Sequence, residues 1–170
     1  MIELAPLETI DAAAVEQLLD RAFGADRHAR TAYRLREETR ALSGLSLAAV
    51  DGDTLVGSIQ CWPVRHIGDD GACTSLVLVG PVAVDPAHQQ AGIGRMLMGA
   101  SLIAAGAQGL DGALMLVGDP DYYERFFGFT ADATARWRLP GPVERHRLLA
   151  RGALVPRGPG EIAPRVAVIA

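Results

Sequence analysis

The chain has 170 residues, 49% hydrophobic and 21% charged, which suits a single globular domain over residues 1–170 with a core of its own. A formal net charge of −4 excludes a general attraction to nucleic acid or to an anionic membrane surface. Lysine and asparagine are absent and all 16 basic residues are arginine, so neither a Schiff-base lysine nor a P-loop lysine can operate, and the usage suggests a GC-rich bacterial source. Met1 to Leu7 reads as a short strand. From Glu8 to Phe23, Ile10, Ala14, Val15, Leu18, Leu19 and Phe23 recur at helical spacing, and Gly24 suits the helix end. A second helix, rich in Arg and Glu, is expected from about Arg30 to Leu42, stopping near Gly44. Leu45 to Val50 and Leu55 to Val64 read as strands joined by a hairpin turn at Asp51-Gly52-Asp53. His66 to Gly71 reads as a polar turn.

Cys73 to Val84 is a long apolar strand that reaches Gly80-Pro81 late in its course. Proline cannot donate to a sheet ladder, so a local break in pairing is expected just before Val82. Gly92 to Ala107 then reads as a helix, Ala113 to Val117 as a buried strand, and Pro120 to Phe127 as a short helix with proline in its first turn. The last 40 residues carry several prolines and glycines, with a strand expected around Arg147 to Arg151. The order of elements indicates an α+β or α/β layered domain with a mixed sheet. Glu3, Glu8 and Asp11 interrupt the start, so no signal pattern appears, and no apolar run reaches 18 residues. Together these point to the cytoplasm. Cys61 and Cys73 suit neither a zinc site nor a disulfide scaffold and read as reduced packing residues.

The segment from Leu76 to Arg95 carries the chemistry. A strand ends in Val82-Ala83-Val84, Asp85-Pro86 turns the chain, and Gln89-Gln90-Ala91-Gly92-Ile93-Gly94 opens a helix at Arg95-Met96-Leu97. Several main-chain N–H groups face one way at such a helix start, where the dipole is positive, and this makes an anion site suited to phosphate. A Walker loop is excluded without lysine, and a Rossmann fingerprint lacks its third glycine because Met96-Leu97 follows.

Gln89-Gln90-Ala91-Gly92-Ile93-Gly94 resembles the Q/R-x-x-G-x-G/A motif of the GNAT superfamily of N-acetyltransferases. Gly118-Asp119-Pro120-Asp121-Tyr122-Tyr123-Glu124-Arg125-Phe126-Phe127-Gly128-Phe129 resembles the family's strand-and-helix segment that ends in Gly-Phe, in a wording similar to one bacterial subgroup. The resemblance implies the acyl-CoA N-acyltransferase fold, a mixed and mostly antiparallel central sheet flanked by helices. It implies that Gln89, Gln90, Ala91, Gly92, Ile93 and Gly94, with Arg95 beside them, hold the pyrophosphate of acetyl-CoA. It also implies that Val82, Ala83 and Val84 pair with the pantetheine arm, and that Asp119 and Tyr123 complete the cofactor side. Arg95 suits either a phosphate contact or a solvated first turn. Tyr123 is then the proton donor to the departing thiolate, with Tyr122 the alternative, since Phe126-Phe127 adds one residue before Gly128.

No general base is readable. No carboxylate lies between Cys73 and Val84, Glu124 suits a solvated helix face, and His66 and His88 read as surface or packing residues. On family topology Trp62-Pro63 and the region near Tyr33 line an acceptor pocket. The activity implied is acetyl transfer from acetyl-CoA, without a metal, to a primary amine by direct attack. The acceptor is a small molecule, a peptide N-terminus or a protein lysine, with no nucleic acid or membrane partner. A non-catalytic acyl-CoA sensor or assembly module on the same fold is the alternative. The chain is expected to be a monomer or homodimer, and the apolar stretch Val166 to Ala170 suits pairing with a partner chain.

Overall fold

The computed structural model describes residues 1–167. In chain order the elements are β1 (Ile2–Pro6), α1 (Ala12–Phe23), α2 (Thr31–Arg34), β2 (Leu47–Asp51), β3 (Thr54–Gly68) and β4 (Cys73–Val84). A 3-10 turn at Pro86–Ala91 leads to α3 (Ile93–Ala107), β5 (Leu114–Val117), α4 (Pro120–Phe127), β6 (Trp137–Arg138), β7 (Leu148–Arg151) and β8 (Gly160–Pro164). The strands neighbour one another in the order β1-β2-β3-β4-β5-β7, and β8 pairs with β3 and β6. β1–β2, β2–β3, β3–β8 and β5–β7 are antiparallel, whereas β4–β5 and β6–β8 are parallel. This is the mixed, mostly antiparallel sheet flanked by helices that the resemblance implies.

The chain divides into two compact units, and β3 and β4 each contribute to both. The first comprises residues 1–29, 41–61 and 80–108. Asp11 caps α1 by accepting from the Ala13 N–H at 3.4 Å, and Gly24 ends the helix. The apolar stripe of α1 is the one read from spacing: Val15, Leu18 and Leu19 bury with Leu7, Ala48, Leu55 and Ala83. Each of the valine and leucine side chains contributes roughly 1.5–3 kcal/mol by leaving water. The register with β2 shifts between Leu55 and Gly57, and Gly57 meets α3. A Cβ at Gly57 would lie 2.7 Å from Ile93 Cγ2 and 3.1 Å from Leu97 Cδ1. That absent side chain lets the first turns of α3 lie close on β3. Further along α3, Ser101 donates to the Leu45 carbonyl at 2.8 Å and touches buried Cys61 Sγ at 3.3 Å.

The second unit comprises residues 30–40, 62–79 and those from Gly109 on. β4 pairs with β5 through Val77↔Leu114 and Leu78↔Met115, and β5 pairs along its length with β7. The interruption expected near Gly80-Pro81 therefore concerns pairing with β5 among the described residues, while β4 itself continues to Val84. Trp137 is fully buried and donates to the Pro156 carbonyl at 3.0 Å.

Three sequence expectations are corrected here. The helix expected over residues 30–42 is one turn, α2, followed by turns with Glu38 at φ 60°. Only Leu35 is fully buried in that stretch, so no apolar stripe sustains a longer helix. His66 lies within a strand and not in a turn, because β8 pairs with β3 across residues 64–68. Its ring is buried, hydrogen-bonds the Gly158 carbonyl at 3.1 Å and packs beside Trp137. Cys73 is exposed at the start of β4 and is no packing residue, unlike Cys61. β6 and β8 are elements that the sequence reading missed. Of the apolar stretch from Val166, residues 168–170 lie outside the described residues.

Candidate functional site

In the first unit, the end of β4 delivers the chain to the glycine loop. Ala83 is buried in the α1 core, while Val82 and Val84 are half-buried and point toward the start of α3. A Cβ at Gly94 would sit 3.7 Å from Val84 Cγ2 and 4.0 Å from Val82 Cγ1, an ordinary contact distance. Asp85 fixes the turn that follows. Its N–H donates to the Val56 carbonyl at 2.8 Å, and its carboxylate accepts from the Ala87 N–H at 3.0 Å and from Arg21 Nε at 3.2 Å. The Ala87 N–H and the Arg21 guanidinium hold the Asp85 carboxyl below the usual carboxylate range, outweighing the effect of burial.

Gln89, Gln90, Ala91 and Gly92 are exposed. Gly92 has φ 73° and ψ 18°, the left-handed conformation that glycine adopts without a Cβ penalty, and no atom lies within 4 Å of the position a Cβ would take. It is the N-cap of α3, and no side chain among the described residues caps that helix end. Ile93 is fully buried, Gly94 half-buried and Arg95 exposed. The loop residues named from sequence are thus brought together beside Val82 and Val84. The first-turn N–H groups of a 15-residue helix start at an open, uncapped end.

In the second unit, Asp119, Tyr122 and Tyr123 share the start of α4. Asp119 is the helix N-cap, accepting from the Asp121 N–H at 3.0 Å, which is a structural duty visible in its spacing before Pro120. The two tyrosine rings meet edge-on with centroids 4.9 Å apart. Tyr122 lies among Phe126 and Phe127, at 5.4 and 5.9 Å between centroids. The Tyr123 ring lies on Gly118, where any Cβ would collide with its edge. Burial, then the neighbouring Tyr122 and Asp119, push the Tyr123 phenol up to about 12, against an opposing pull from Arg147. Glu124 is exposed, as a solvated helix position requires. Phe126 and Phe127 lie in the last turn of α4, which Gly128 closes at φ 73°.

The sequence reading missed the partners that hold these groups: Arg21 under Asp85, Gly57 under α3 and Gly118 under Tyr123. Gly118 was quoted only as part of a motif, and Arg21 carried no signal because its partner lies 64 residues away. His88 sits 4.0 Å from the Asp85 carboxylate and is half-exposed. Among the described residues no group of three or more His, Cys, Asp or Glu is placed to hold a metal ion. No helix among them is long and apolar enough to cross a membrane.

The sequence profile of the Acetyltransferase (GNAT) family matches residues 12–129. The chain belongs to the GNAT family of acetyltransferases. Among solved structures it is similar to the GNAT family N-acetyltransferase YhbS from Escherichia coli in complex with CoA, at 26% identity and a TM-score of 0.75, covering 96% of this chain and 89% of that one. It is also similar to a GNAT family acetyltransferase from Brucella melitensis in complex with acetyl-CoA, at 26% identity and a TM-score of 0.70, covering 97% and 96%. The ribosomal-protein-S18-alanine N-acetyltransferase from Escherichia coli shares the fold at 21% identity and a TM-score of 0.53, over 88% of this chain and 90% of that one. A search of curated proteins gave no match. As a member of this GNAT family the protein is an acyl-CoA-dependent N-acetyltransferase.

Proposed function

We propose that the protein moves the acetyl group of acetyl-CoA to a primary amine by direct attack. The observation that carries this reading is the open, uncapped start of α3, with Gly92 in the left-handed region and the preceding strand ending in Val82–Val84. Two GNAT structures similar to the chain over most of its length contain CoA and acetyl-CoA. The main-chain amides of residues 89–94 hold the pyrophosphate, which requires no lysine. Val82, Ala83 and Val84 offer main-chain groups to the pantetheine amides beyond the Val77–Leu78 pairing. Arg95 is placed at the first turn for a supporting phosphate contact.

In the reaction the neutral amine attacks the thioester carbonyl, a C–N bond forms, the C–S bond breaks, and the amine gives up one proton while the thiolate takes one. Holding the two reactants together lowers the barrier by up to about 7–11 kcal/mol. Tyr123 assists the departing thiolate through its hydroxyl, which its surroundings keep protonated. The test is release of free thiol from acetyl-CoA across a panel of primary amines, with CoA binding measured in parallel. Amine-dependent release is expected. Saturable CoA binding with no release on any amine would replace the transferase by an acyl-CoA sensor.

A further inference from the structure

We propose that His88 is a proton-linked charge at the pyrophosphate turn: the protein takes up a proton there when CoA binds, and its grip on CoA tightens as pH falls from 8 to 6. The proposal rests on the reading that the amides of residues 89–94 hold the pyrophosphate, and deepens it by naming what regulates that site. Every residue it uses lies in the first unit.

That unit holds little positive charge for a site that takes an anion. Its side chains include nine carboxylates against three arginines, Arg21, Arg27 and Arg95. Arg27 is committed to Glu16 and Asp20, and Arg21 to Asp85. Between Pro86 and Gly94 the only ionisable side chain is that of His88. The turn therefore meets a pyrophosphate, with its two negative charges, chiefly through main-chain dipoles, and one added positive charge is a large change.

His88 is well placed to supply it. It lies in the 3-10 turn Pro86–Ala91, its N–H donates to the Asp85 carbonyl at 2.8 Å, and its own carbonyl carbon bears the Gln89 amide that opens the loop. At about 2.0 Å of rise per residue, Gly92 follows about 8 Å further on. The ring is half-exposed, and its Nδ1 is enclosed, has no hydrogen-bond partner and lies 4.0 Å from Asp85 Oδ1.

The charged groups around it are few. Asp85 stands on its own turn, α1 brings Arg21, whose Nε donates to Asp85 Oδ2, and α3 brings Arg95 and no carboxylate. Residues 54–61 of β3 bring no charge. Histidine is the side chain whose charge ordinarily changes between pH 5 and 8. The Ala87 N–H and Arg21 keep Asp85 ionised throughout that interval. With a neutral ring, Arg21 and Asp85 cancel; with a protonated one, the three sum to a single positive charge. A bound anion then favours the protonated ring, and the protonated ring favours the anion by the same factor. One unit charge about 8 Å from a dianion changes affinity by about three- to tenfold at low salt.

The experiment is calorimetric titration with CoA at pH 6 and pH 8, at low salt, on the wild type, His88→Gln and His88→Arg. Ionisations of CoA itself act equally on all three proteins, so the comparison isolates residue 88. The wild-type ratio of affinities at pH 6 and pH 8 should exceed that of His88→Gln by about threefold or more. His88→Arg, with its charge fixed, should show the smaller ratio and bind more tightly than the wild type at pH 8. Titration at pH 6.5 in buffers of different ionisation heat reads the proton directly, and the wild type should take up more protons per CoA than either variant. Should His88→Gln fail to fold by circular dichroism, His88→Arg decides. Equal ratios and equal proton uptake, with CoA still bound, overturn the role of His88 and spare the pyrophosphate reading. No CoA binding by the wild type at either pH overturns that reading and this one with it.

Discussion

The Tyr123 hydroxyl offers the most exacting test of the chemistry. Its phenol is pushed up to about 12, chiefly by burial. A free thiol has a pKa near about 8.5, so complete proton transfer from this phenol to a thiolate would run uphill by ~3.5 units, about 5 kcal/mol. The hydroxyl therefore acts as a donor in a charge-assisted hydrogen bond to the departing sulfur, an interaction of about 1.5–3 kcal/mol. Tyr123→Phe should lower kcat by about 10- to 150-fold with little change in CoA affinity. At pH 10 a phenol of pKa about 12 is ~1% ionised, whereas an ordinary one is about half ionised. The wild-type rate should thus show no tyrosine-dependent fall between pH 8 and about 10.5. A folded-state value above the unfolded one contributes stability that is present below pH ~10 and lost as pH rises through about 12, so this window precedes most of that loss. Thiol release is followed at each pH, with return to pH 8 as the control for inactivation. An alkaline limb near pH 10 that vanishes in Tyr123→Phe would refute the raised value. A Tyr123→Phe enzyme at full rate would remove the hydroxyl from the mechanism and leave Tyr122→Phe to be tried.

Three further outcomes are expected. Gly92→Glu should abolish CoA binding by calorimetry while the thermal unfolding transition persists, because it puts a side chain and a negative charge at φ 73° beside the amides proposed to hold the pyrophosphate; retained affinity would place the cofactor elsewhere. Leu18→Ala, at a fully buried position in the α1 core, should cost about 2–5 kcal/mol in denaturant unfolding; a loss below ~1 kcal/mol would mean that the α1 core is not packed as described. Iodoacetamide should alkylate exposed Cys73 and spare Cys61, whose thiol burial pushes up to about 11, leaving ~0.1% thiolate at pH 8; mass mapping that finds Cys61 modified in the native protein would contradict its burial.

The parts legible in the sequence are those whose cause is local. The stripe of Val15, Leu18 and Leu19 is written in helical spacing, and the hairpin in Asp51-Gly52-Asp53. The glycine turn into α3 was readable because residue type records it directly: Gly92 at φ 73° opens the helix after a strand. The parts that were not legible depend on distant partners. α2 is one turn because only Leu35 of that stretch is buried, and the turn is held by Thr31 and Arg34 donating to carbonyls more than 100 residues away. β8 is five residues, Gly-Glu-Ile-Ala-Pro, with little alternation of its own, and becomes a strand because β3 supplies a partner at His66↔Ile162. For Asp119 the resemblance implied a cofactor role, and the structure shows its side chain accepting from the Asp121 N–H at the start of α4.

An anion site made of main-chain amides is only as good as the rigidity of the turn that presents them. Ordering one backbone residue costs about 1–2 kcal/mol, and a loop that had to order on binding would spend that from its affinity. Here the exposed stretch from Pro86 to Gly92 is tied at both ends to the first unit. Asp85 is held by Val56, Ala87 and Arg21 before it, and Ile93 is buried against Gly57 after it. The turn is therefore ordered by the same packing that folds β3, β4 and α3. Binding and stability are then linked: a ligand gripped by this turn raises the stability of the folded state by RT ln(1 + [L]/Kd), about 2.7 kcal/mol at a hundredfold excess over Kd. Arg21→Gln loosens the turn without touching the amides, so its expected signature is a weaker CoA affinity and a correspondingly smaller rise in Tm with CoA. Gly92→Glu, by contrast, acts at the amides themselves and should erase that rise.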